Sequence, residues 1–262
     1  MCLILLAWQV SPGYPLILAA NRDEVYARPT APAHFWTDRP DVLAGRDLDK
    51  GGTWLGVTRG GRLAAVTNYR DGRGPRRGIR SRGELVSSFL ASNQNTNDYL
   101  QQVRQRGADY DGFNLLAGTL DGLFYYSNRG EHPTELEPGV HGLSNHLLDS
   151  PWPKVERGKK ALAGLGNADR HELIDGLLAV LADQTQPPDH ALPDTGVGQD
   201  WERALATAFI RTPEYGTRSS TVLLVDVAGT VSFIERTHST SGDPPVTQEY
   251  AFALSTQPFD RG

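Results

Sequence analysis

The residue whose position most favours chemistry is Cys2, the one cysteine in the chain. Removal of Met1 would leave its thiol beside a free α-amine, whose ordinary pKa is roughly 7.7–8.0. Such an amine can act as the general base for the side chain of its own residue, so no separate histidine is required. The position therefore predicts an N-terminal cysteine nucleophile. The alternative is a small buried apolar residue, which is the usual role of a free cysteine.

A polar block, Asn21-Arg22-Asp23-Glu24, ends the β-hairpin that the apolar residues 3–20 predict. The position of the hairpin turn predicts a register in which Cys2 lies opposite Asp23. Asn21 is then expected on the same face, one step along the strand, and Arg22 on the opposite face. In that position an ionised Asp23 would anchor and orient the α-ammonium group of Cys2. The alternative is a polar strand end that enters a loop.

The elements that must position these residues follow from the apolar pattern. Apolar runs that flank glycine-containing turns predict four hairpins, at residues 3–20, 54–69, 113–127 and 221–236, and a last strand at 250–254. Helical spacing of apolar residues predicts helices at 83–91, 97–106, 154–165, 171–182 and 201–210. Hairpins with inserted helices are typical of an α+β layered sandwich. No repeat or long linker divides the chain, so we expect one domain over residues 1–262.

Composition excludes several classes of protein. The chain has 262 residues, of which 39% are hydrophobic and 22% charged, as expected for an ordinary globular protein. A formal net charge of −5 argues against a general nucleic-acid binder. A single cysteine excludes internal disulfides and Cys-rich zinc sites. The apolar residues 3–8 lack the flanks of a signal peptide, and no stretch approaches the ~18 apolar residues of a spanning helix. We therefore expect a cytoplasmic protein without a membrane span.

Six arginines lie between Arg70 and Arg82, with Arg76 and Arg77 at the centre of the group. Their guanidinium groups are predicted to clamp a phosphate or carboxylate at the mouth of a pocket. The alternative is a solvated loop between a strand and a helix. Trp54 is a candidate for lining such a pocket, although aromatic residues more often belong to the core. The seven histidines show no metal-ligand spacing, so neither a metal nor another cofactor is expected.

Sequence blocks that occur in order along nearly the whole chain indicate a family. They are Met1-Cys2, Asn21-Arg22-Asp23-Glu24, Gly51-Gly52-Thr53-Trp54-Leu55-Gly56, Thr67-Asn68-Tyr69-Arg70, Ser81-Arg82-Gly83-Glu84-Leu85, Phe113-Asn114-Leu115-Leu116, Gly142-Leu143-Ser144-Asn145, Leu148-Asp149-Ser150-Pro151-Trp152-Pro153-Lys154-Val155 and Thr217-Arg218-Ser219-Ser220-Thr221. In these blocks the chain resembles the NRDE family, also called the transport and Golgi organisation family. That family is similar to the N-terminal-nucleophile (Ntn) hydrolases, above all to penicillin V acylase and bile-salt hydrolase.

The resemblance implies a four-layer αββα sandwich of two antiparallel sheets and a cysteine that attacks a non-peptide amide. It implies that Cys2 is the nucleophile and that Asp23 positions its amine. It further implies that Asn68 and Asn145 flank the developing oxyanion and that Arg218 supports the thiolate.

The block after the first hairpin departs from the acylase pattern. The acylases carry Arg-Asn-x-Asp, whereas this chain has Ala20-Asn21-Arg22-Asp23, so the arginine nearest the thiol is absent. With the predicted register, Arg22 is not a direct substitute for it. Asn21 and Arg22 are expected among the ligand-binding residues.

Two functions stay open at this point. The first is an N-terminal-cysteine amidohydrolase that acts on a small linear amide. The second is a non-enzymatic pocket protein that binds or traffics haem, acyl-CoA or lipid, because members of the resembled family have been connected with such ligands. A structural or interaction protein fits the polar blocks poorly. Glutamine amidotransferases also begin with Met-Cys but continue with glycine, where this chain has Leu3.

Overall fold

The computed structural model describes residues 2–72, 78–166, 168–240 and 242–255. The strands are β1 Cys2–Ser11, β2 Tyr14–Val25, β3 Thr30–Trp36, β4 Arg39–Asp47, β5 Leu55–Thr58, β6 Leu63–Asn68, β7 Phe113–Thr119, β8 Gly122–Ser127, β9 Thr134–Glu135, β10 Gly139–Leu143, β11 Tyr215–Val225, β12 Thr230–Thr237 and β13 Val246–Ala253. The helices are α1 Gly83–Leu90, α2 Thr96–Gln105, α3 Pro153–Gly164, α4 Arg170–Leu181 and α5 Gln199–Ala204, with 3₁₀ turns at Gly107–Asp109 and Asp189–Ala191. The four predicted hairpins and the last strand are confirmed.

Two antiparallel sheets face each other. The six-stranded sheet has the order β10-β1-β2-β11-β12-β13, and the seven-stranded sheet runs from β3 to β9 in chain order. Helices α3 and α4 cover the outer face of the first sheet, and α1 and α2 cover the second. The α+β class and the αββα sandwich predicted from the sequence are therefore confirmed.

The alternation of side chains along β1 and β2 decides which residues face the space between the sheets. Even-numbered residues of β1, such as Ile4 and Leu6, pack in the core between the two sheets. Odd-numbered residues, such as Leu3 and Leu5, pack against the helices. Both faces are apolar because both are covered, which explains the nearly continuous apolar run.

Helix α3 lies close to β1 because a glycine is present at the contact. A Cβ atom at Gly158 would lie 2.6 Å from the Cδ atoms of Leu5, so a larger residue here would require the side chain of Leu5 to move. The contact holds α3 on the outer face of β1 and β10.

The hairpin of β3 and β4 was not predicted. Pro32 lies at the register shift between Ala31 and His34, on the edge strand of the seven-stranded sheet. Proline is tolerated at an edge strand or a bulge, but it makes a strand hard to recognise from sequence. The helix predicted over 201–210 is shorter than expected and ends at Ala204. The single domain stays a prediction.

Candidate functional site

A cavity of about 410 Å³ opens between the two sheets at the end where β1 begins. From the six-stranded sheet it is lined by Cys2, Arg22, Ser219, Glu235 and Thr237, which form the floor. The opposite wall comes from the seven-stranded sheet and its loops, and includes Pro32, Gly45, Trp54, Val66 and Asn68. The predicted nucleophile and the predicted pocket residue Trp54 therefore meet at one cavity.

Beyond its turn, the register of the first hairpin differs from the predicted register by one residue. Ser11 pairs with Tyr14, as the turn predicts, but a bulge follows and Trp8 pairs with Leu16. Gln9 lies in this bulge with a φ of 53°, an uncommon value for a residue other than glycine. The extra residue places Cys2 opposite Arg22, so the prediction that Cys2 lies opposite Asp23 is wrong.

The one-residue change of register alters which residues of the block Asn21-Arg22-Asp23-Glu24 lie on the face of Cys2. Arg22 now shares the face of Cys2 between the sheets, whereas Asn21 lies toward the helices and contacts the end of α4. The expectation that Arg22 points away from the thiol is therefore wrong. Ala20, at the position of the acylase arginine, lies two residues before Arg22 on the same face. Although Ala20 stands where the acylases have an arginine, Arg22 therefore places an arginine on the cavity face beside Cys2.

The floor of the cavity is a polar row across four neighbouring strands. Ser219 pairs with Arg22 on one side and with Thr237 on the other. Two residues before Thr237, Glu235 is buried, and its Oε1 accepts a hydrogen bond of 2.6 Å from the backbone N–H of Ala33. Burial raises the pKa of Glu235 above its ordinary value. Sequence reasoning missed Ser219 and Glu235 as site residues, because hydroxyl and acidic residues in a strand normally indicate a solvent face.

Cys2 is buried, with 7% of the residue exposed. Burial raises the pKa of the thiol above its ordinary value and the charge of Asp23 adds to that rise, while the backbone N–H of Asp23 and the charge of Arg22 oppose it. The thiol is therefore neutral at pH 7, and nucleophilic attack needs a base that removes its proton.

Asp23 follows Arg22 in β2 and is also among the residues that line the cavity. Its Oδ1 accepts a hydrogen bond of 2.7 Å from the hydroxyl of Thr217. Burial raises the pKa of the Asp23 carboxyl, and the charge of Lys154 is among the influences that lower it. Sequence reasoning missed Lys154, since a lysine in a helix is usually exposed.

Asn21 lies outside the cavity and is fully buried. Its amide nitrogen donates to the carbonyls of Leu181 and Ala208, each at 2.8 Å. Its oxygen accepts from the hydroxyl of Ser220 at 2.6 Å, and Ser220 also bonds to His238 at 2.9 Å. These contacts attach β2 to the end of α4 and to the segment before β11.

The two asparagines predicted to flank an oxyanion occupy different places. Asn68 is half-buried and lines the cavity. Asn145 is fully buried outside the lining, and its amide nitrogen donates to the carbonyl of Asn68 at 3.0 Å. Asn145 therefore holds the backbone of Asn68 in place.

Arg218 lines the cavity, but its guanidinium group is hydrogen-bonded to backbone carbonyl oxygens. Its Nη1 donates to the carbonyl oxygens of Val25, Tyr26 and Arg28 at 2.9–3.1 Å. These bonds fix the loop after β2. The predicted ligand residues Arg76 and Arg77 lie outside the described residues.

Cations outnumber acids among the described lining residues, with seven against five. Most of the cations at the mouth have close acidic partners. Arg28 lies 2.6 Å from Asp47, and Arg80 lies 2.6 Å from Glu84. The ion pair of Arg22 is longer, because its Nη2 atom lies 3.9 Å from Oε2 of Glu24. Arg22 is thus well placed to contact an anionic group of a ligand.

Within the described ranges, no helix is long and apolar enough to cross a membrane. The same residues bring together no group of three His, Cys, Asp or Glu side chains that could hold a metal ion. The cytoplasmic location stays a prediction.

The sequence profile of the family described as Transport and Golgi organisation 2 matches residues 1–240. The chain belongs to this family. It is 43% identical over 271 residues to the Transport and Golgi organization protein 2 homolog of Bos taurus, covering 95% of this chain and 96% of that protein. Its identity to the Homo sapiens homolog is 42% over 258 residues, covering 90% and 92%. The predicted family is confirmed.

A solved structure shares the fold of this family member. The chain is similar to a variant of conjugated bile acid hydrolase from Clostridium perfringens, with a TM-score of 0.50 and 9% identity. The likeness covers 99% of this chain and 94% of that one. It supports the Ntn-hydrolase-like sandwich in this Transport and Golgi organisation 2 family member.

The position of Arg22 in this family member leads to a first prediction. Arg22→Met should slow the alkylation of Cys2 by iodoacetamide at pH 7 by about fivefold, because the thiolate loses a cation on its own face. The rate is measured by mass spectrometry of the intact protein. Arg46→Met is the matched control, since Arg46 lines the opposite wall and pairs with Asp38. Equal rates for the Arg22 variant and the wild type would contradict the role of Arg22.

Proposed function

We propose that the protein is an N-terminal-cysteine amidohydrolase that acts on a linear, non-peptide amide. The observation that carries the proposal is the position of Cys2 on the floor of the cavity, directly opposite Arg22. A cavity of about 410 Å³ is large enough for a small ligand. The proposal includes removal of Met1, which frees the α-amine of Cys2.

The reaction proceeds in two stages. The Sγ atom of Cys2 attacks the amide carbonyl carbon while the thiol proton moves to the α-amine, and the side chain of Asn68 donates to the oxyanion. The C–N bond then breaks as the α-ammonium returns the proton to the leaving nitrogen, which leaves a thioester. Water hydrolyses the thioester, releases the carboxylic acid and restores the thiol. A neutral buried thiol suits this scheme, because proton removal and attack occur together.

The neighbouring residues have supporting roles in this proposal. Asp23 orients the α-amine, and Asn145 holds Asn68 through the hydrogen bond to its carbonyl. Arg218 holds the loop after β2 at the edge of the cavity. Arg22 stabilises the thiolate and receives a carboxylate of the substrate.

The chemistry of the lining favours a substrate that is polar where it lies over the floor. Arg22, Ser219 and Glu235 present charge or hydrogen-bonding groups there, whereas Trp54 and Val66 on the opposite wall are apolar. An amide with a polar group near the scissile bond and an apolar part against the opposite wall matches both surfaces. The solved neighbour is by its name a hydrolase of conjugated bile acids, and this supports the class of reaction, not the substrate.

The second candidate is a non-enzymatic pocket protein for haem or acyl-CoA. The excess of cations in the lining favours it, because guanidinium groups can hold propionates or phosphates. A carrier needs the cavity but has no use for the thiol.

The deciding experiment uses the wild-type protein with a panel of N-acyl amides, haem and long-chain acyl-CoA. Intact mass and released amine are followed together, and the mass of the free protein reports whether Met1 is removed. We expect loss of Met1 and either an acyl adduct on Cys2 or steady release of amine. Stoichiometric binding of haem or acyl-CoA with no adduct would overturn the hydrolase and favour the carrier. Retained Met1 would remove the proposed base.

A further inference from the structure

The two residues that follow β10, Ser144 and Asn145, connect the proposed nucleophile with the proposed oxyanion donor. Strand β10 pairs with β1 as far as Leu143, which lies opposite Ile4. The same register continued by two residues would bring Asn145 opposite Cys2. Ser144 and Asn145 are both buried, and both lie outside the cavity lining. Any influence they have on a bound substrate must therefore act through other residues.

The hydroxyl of Ser144 attaches this pair of residues to Cys2. Its Oγ atom lies 3.1 Å from the carbonyl oxygen of Cys2 and 3.2 Å from Oδ1 of Asn145. Because both of these atoms are acceptors, the single hydroxyl hydrogen of Ser144 serves the two of them. The amide nitrogen of Asn145 donates to the carbonyl of Asn68 at 3.0 Å, which turns the amide oxygen toward Ser144. A continuous series of hydrogen bonds thus joins the backbone of Cys2 to the backbone of Asn68.

Further hydrogen bonds attach the same two residues to β6 and the segment after it. Thr67 is fully buried, and its Oγ1 donates to the carbonyl of Ser144 at 2.6 Å. The backbone N–H of Arg70 donates to the carbonyl of Asn145 at 2.7 Å. The hydroxyl of Thr67 is itself oriented by the amide nitrogen of Asn114, which donates to it at 3.1 Å. Since β6 belongs to the seven-stranded sheet and β1 to the six-stranded sheet, these bonds fix the two sheets relative to each other beside the cavity.

We infer that Ser144 is a positioning residue that holds the backbone of Cys2 in a fixed place relative to Asn68, so that the thiol and the oxyanion donor act on the same carbonyl group. The inference rests on the proposed function, in which Cys2 attacks that carbonyl and Asn68 donates to the oxyanion. Catalytic groups are effective only at the correct distance and direction from the reacting atoms. Without the Ser144 hydroxyl the carbonyl of Cys2 loses this donor, and the first residue of β1 is held less firmly relative to β6.

The test compares two reactions of Cys2 that differ in their need for an oxyanion donor. With p-nitrophenyl acetate, Sγ bonds to the acetyl carbon, an oxyanion forms and collapses, and p-nitrophenolate leaves with the electron pair of the broken C–O bond, while the thiol proton passes to the α-amine or the buffer. Iodoacetamide alkylates the same thiol with loss of iodide and forms no oxyanion. Peptide mass spectrometry at early times gives both rates for Cys2 at one pH. The ratio of the acetylation rate to the alkylation rate then reports the alignment of the thiol with Asn68.

We expect Ser144→Ala to lower this ratio about tenfold, with the alkylation rate within about twofold of the wild type. Thr67→Val removes the donor to the carbonyl of Ser144 and should lower the ratio in the same direction. Thr67→Ser keeps that hydroxyl and should keep the wild-type ratio. Asn68→Ala should lower the ratio as well, and adding Ser144→Ala to it should change little, because the donor that Ser144 aligns is then absent.

Ser127→Ala is the matched control, because Ser127 is also a buried serine whose hydroxyl donates to a backbone carbonyl, that of Phe113 at 2.8 Å. It lies outside the cavity lining, so its substitution should leave the ratio at the wild-type value. An equal fall in Ser127→Ala would assign the effect to the loss of any buried hydrogen bond and would overturn the inference. An unchanged ratio in Ser144→Ala, with urea unfolding showing that the variant is folded, would overturn it too.

The remaining outcomes separate this inference from the proposed function. Where Ser144→Ala does not fold, Thr67→Val and Thr67→Ser decide by the same criterion. A wild type that turns over no amide would refute the hydrolase, and the ratio would still test the role of Ser144. A constant ratio in a protein that does turn over amides would refute the role of Ser144 alone, so the two failures are distinguishable.

Discussion

Replacing Cys2 with serine should lower amide turnover by on the order of 10³ or more, while ligand binding survives. A hydroxyl has nearly the size of a thiol but forms its anion far less readily, so the cavity keeps its shape and loses its nucleophile. The measurement is kcat/KM from amine release with the amide that labels the wild type. The dissociation constant of the same amide is measured by calorimetry.

Ser11→Ala is the matched control for this substitution, because it removes one hydroxyl from the opposite end of β1, outside the cavity lining. Its turnover should stay within a few-fold of the wild type. Turnover that survives Cys2→Ser would place the nucleophile elsewhere. Loss of affinity together with turnover would make Cys2 a ligand contact and would contradict a role as nucleophile alone.

The layers of the fold could be predicted from the sequence because they depend on local patterns. Apolar runs separated by short glycine-containing turns identify antiparallel hairpins, as at residues 113–127 and 221–236. Leu173, Leu177 and Leu181 have the spacing of one helix face and are buried in α4. These signals lie within a few residues along the chain.

The register of the first hairpin could not be predicted, because a bulge changes it. The turn predicts the pair Ser11 and Tyr14, but the bulge at Gln9 shifts every later pair by one residue. Glutamine is not a residue type that indicates a positive φ, so the sequence carries no local signal for the bulge. This shift places Arg22, and not Asp23, opposite Cys2.

The burial of charged side chains could not be predicted from the sequence either. Lys154 and Glu202 lie in helical segments where a charged residue normally faces solvent, and only the tertiary packing encloses them. The block Pro153-Lys154-Val155 was recognised as part of the family pattern, but that pattern gives no reason for a lysine. In the folded chain α3 packs on β1, and the Nζ atom of Lys154 donates to the carbonyl of Leu205 at 2.9 Å.

The buried pair of Arg70 and Glu202 should dominate the stability of the segment behind the site. Arg70→Met should lower the free energy of unfolding by about 3–5 kcal/mol, because the carboxylate of Glu202 is left buried without a cation. Its Oε1 still accepts from the backbone N–H and the hydroxyl of Thr195, at 2.7 and 2.6 Å, but these dipoles do not replace a full charge. Urea unfolding, followed by circular dichroism, gives the value.

A double-mutant cycle separates the charge from the packing of this pair. Glu202→Gln should cost a similar amount as Arg70→Met, and the double variant should recover most of the loss because neither charge remains uncompensated. Arg203→Met is the control, since Arg203 is on the same helix but its ion pair with Asp189 is exposed, and the unfolding midpoint should stay unchanged. Additive losses in the double variant would contradict the pairing and assign the effect to packing, including the contact of the Arg70 guanidinium with the ring of Trp152 at 4.5 Å. Recovery of stability in the double variant would show that each charge of the pair compensates the other.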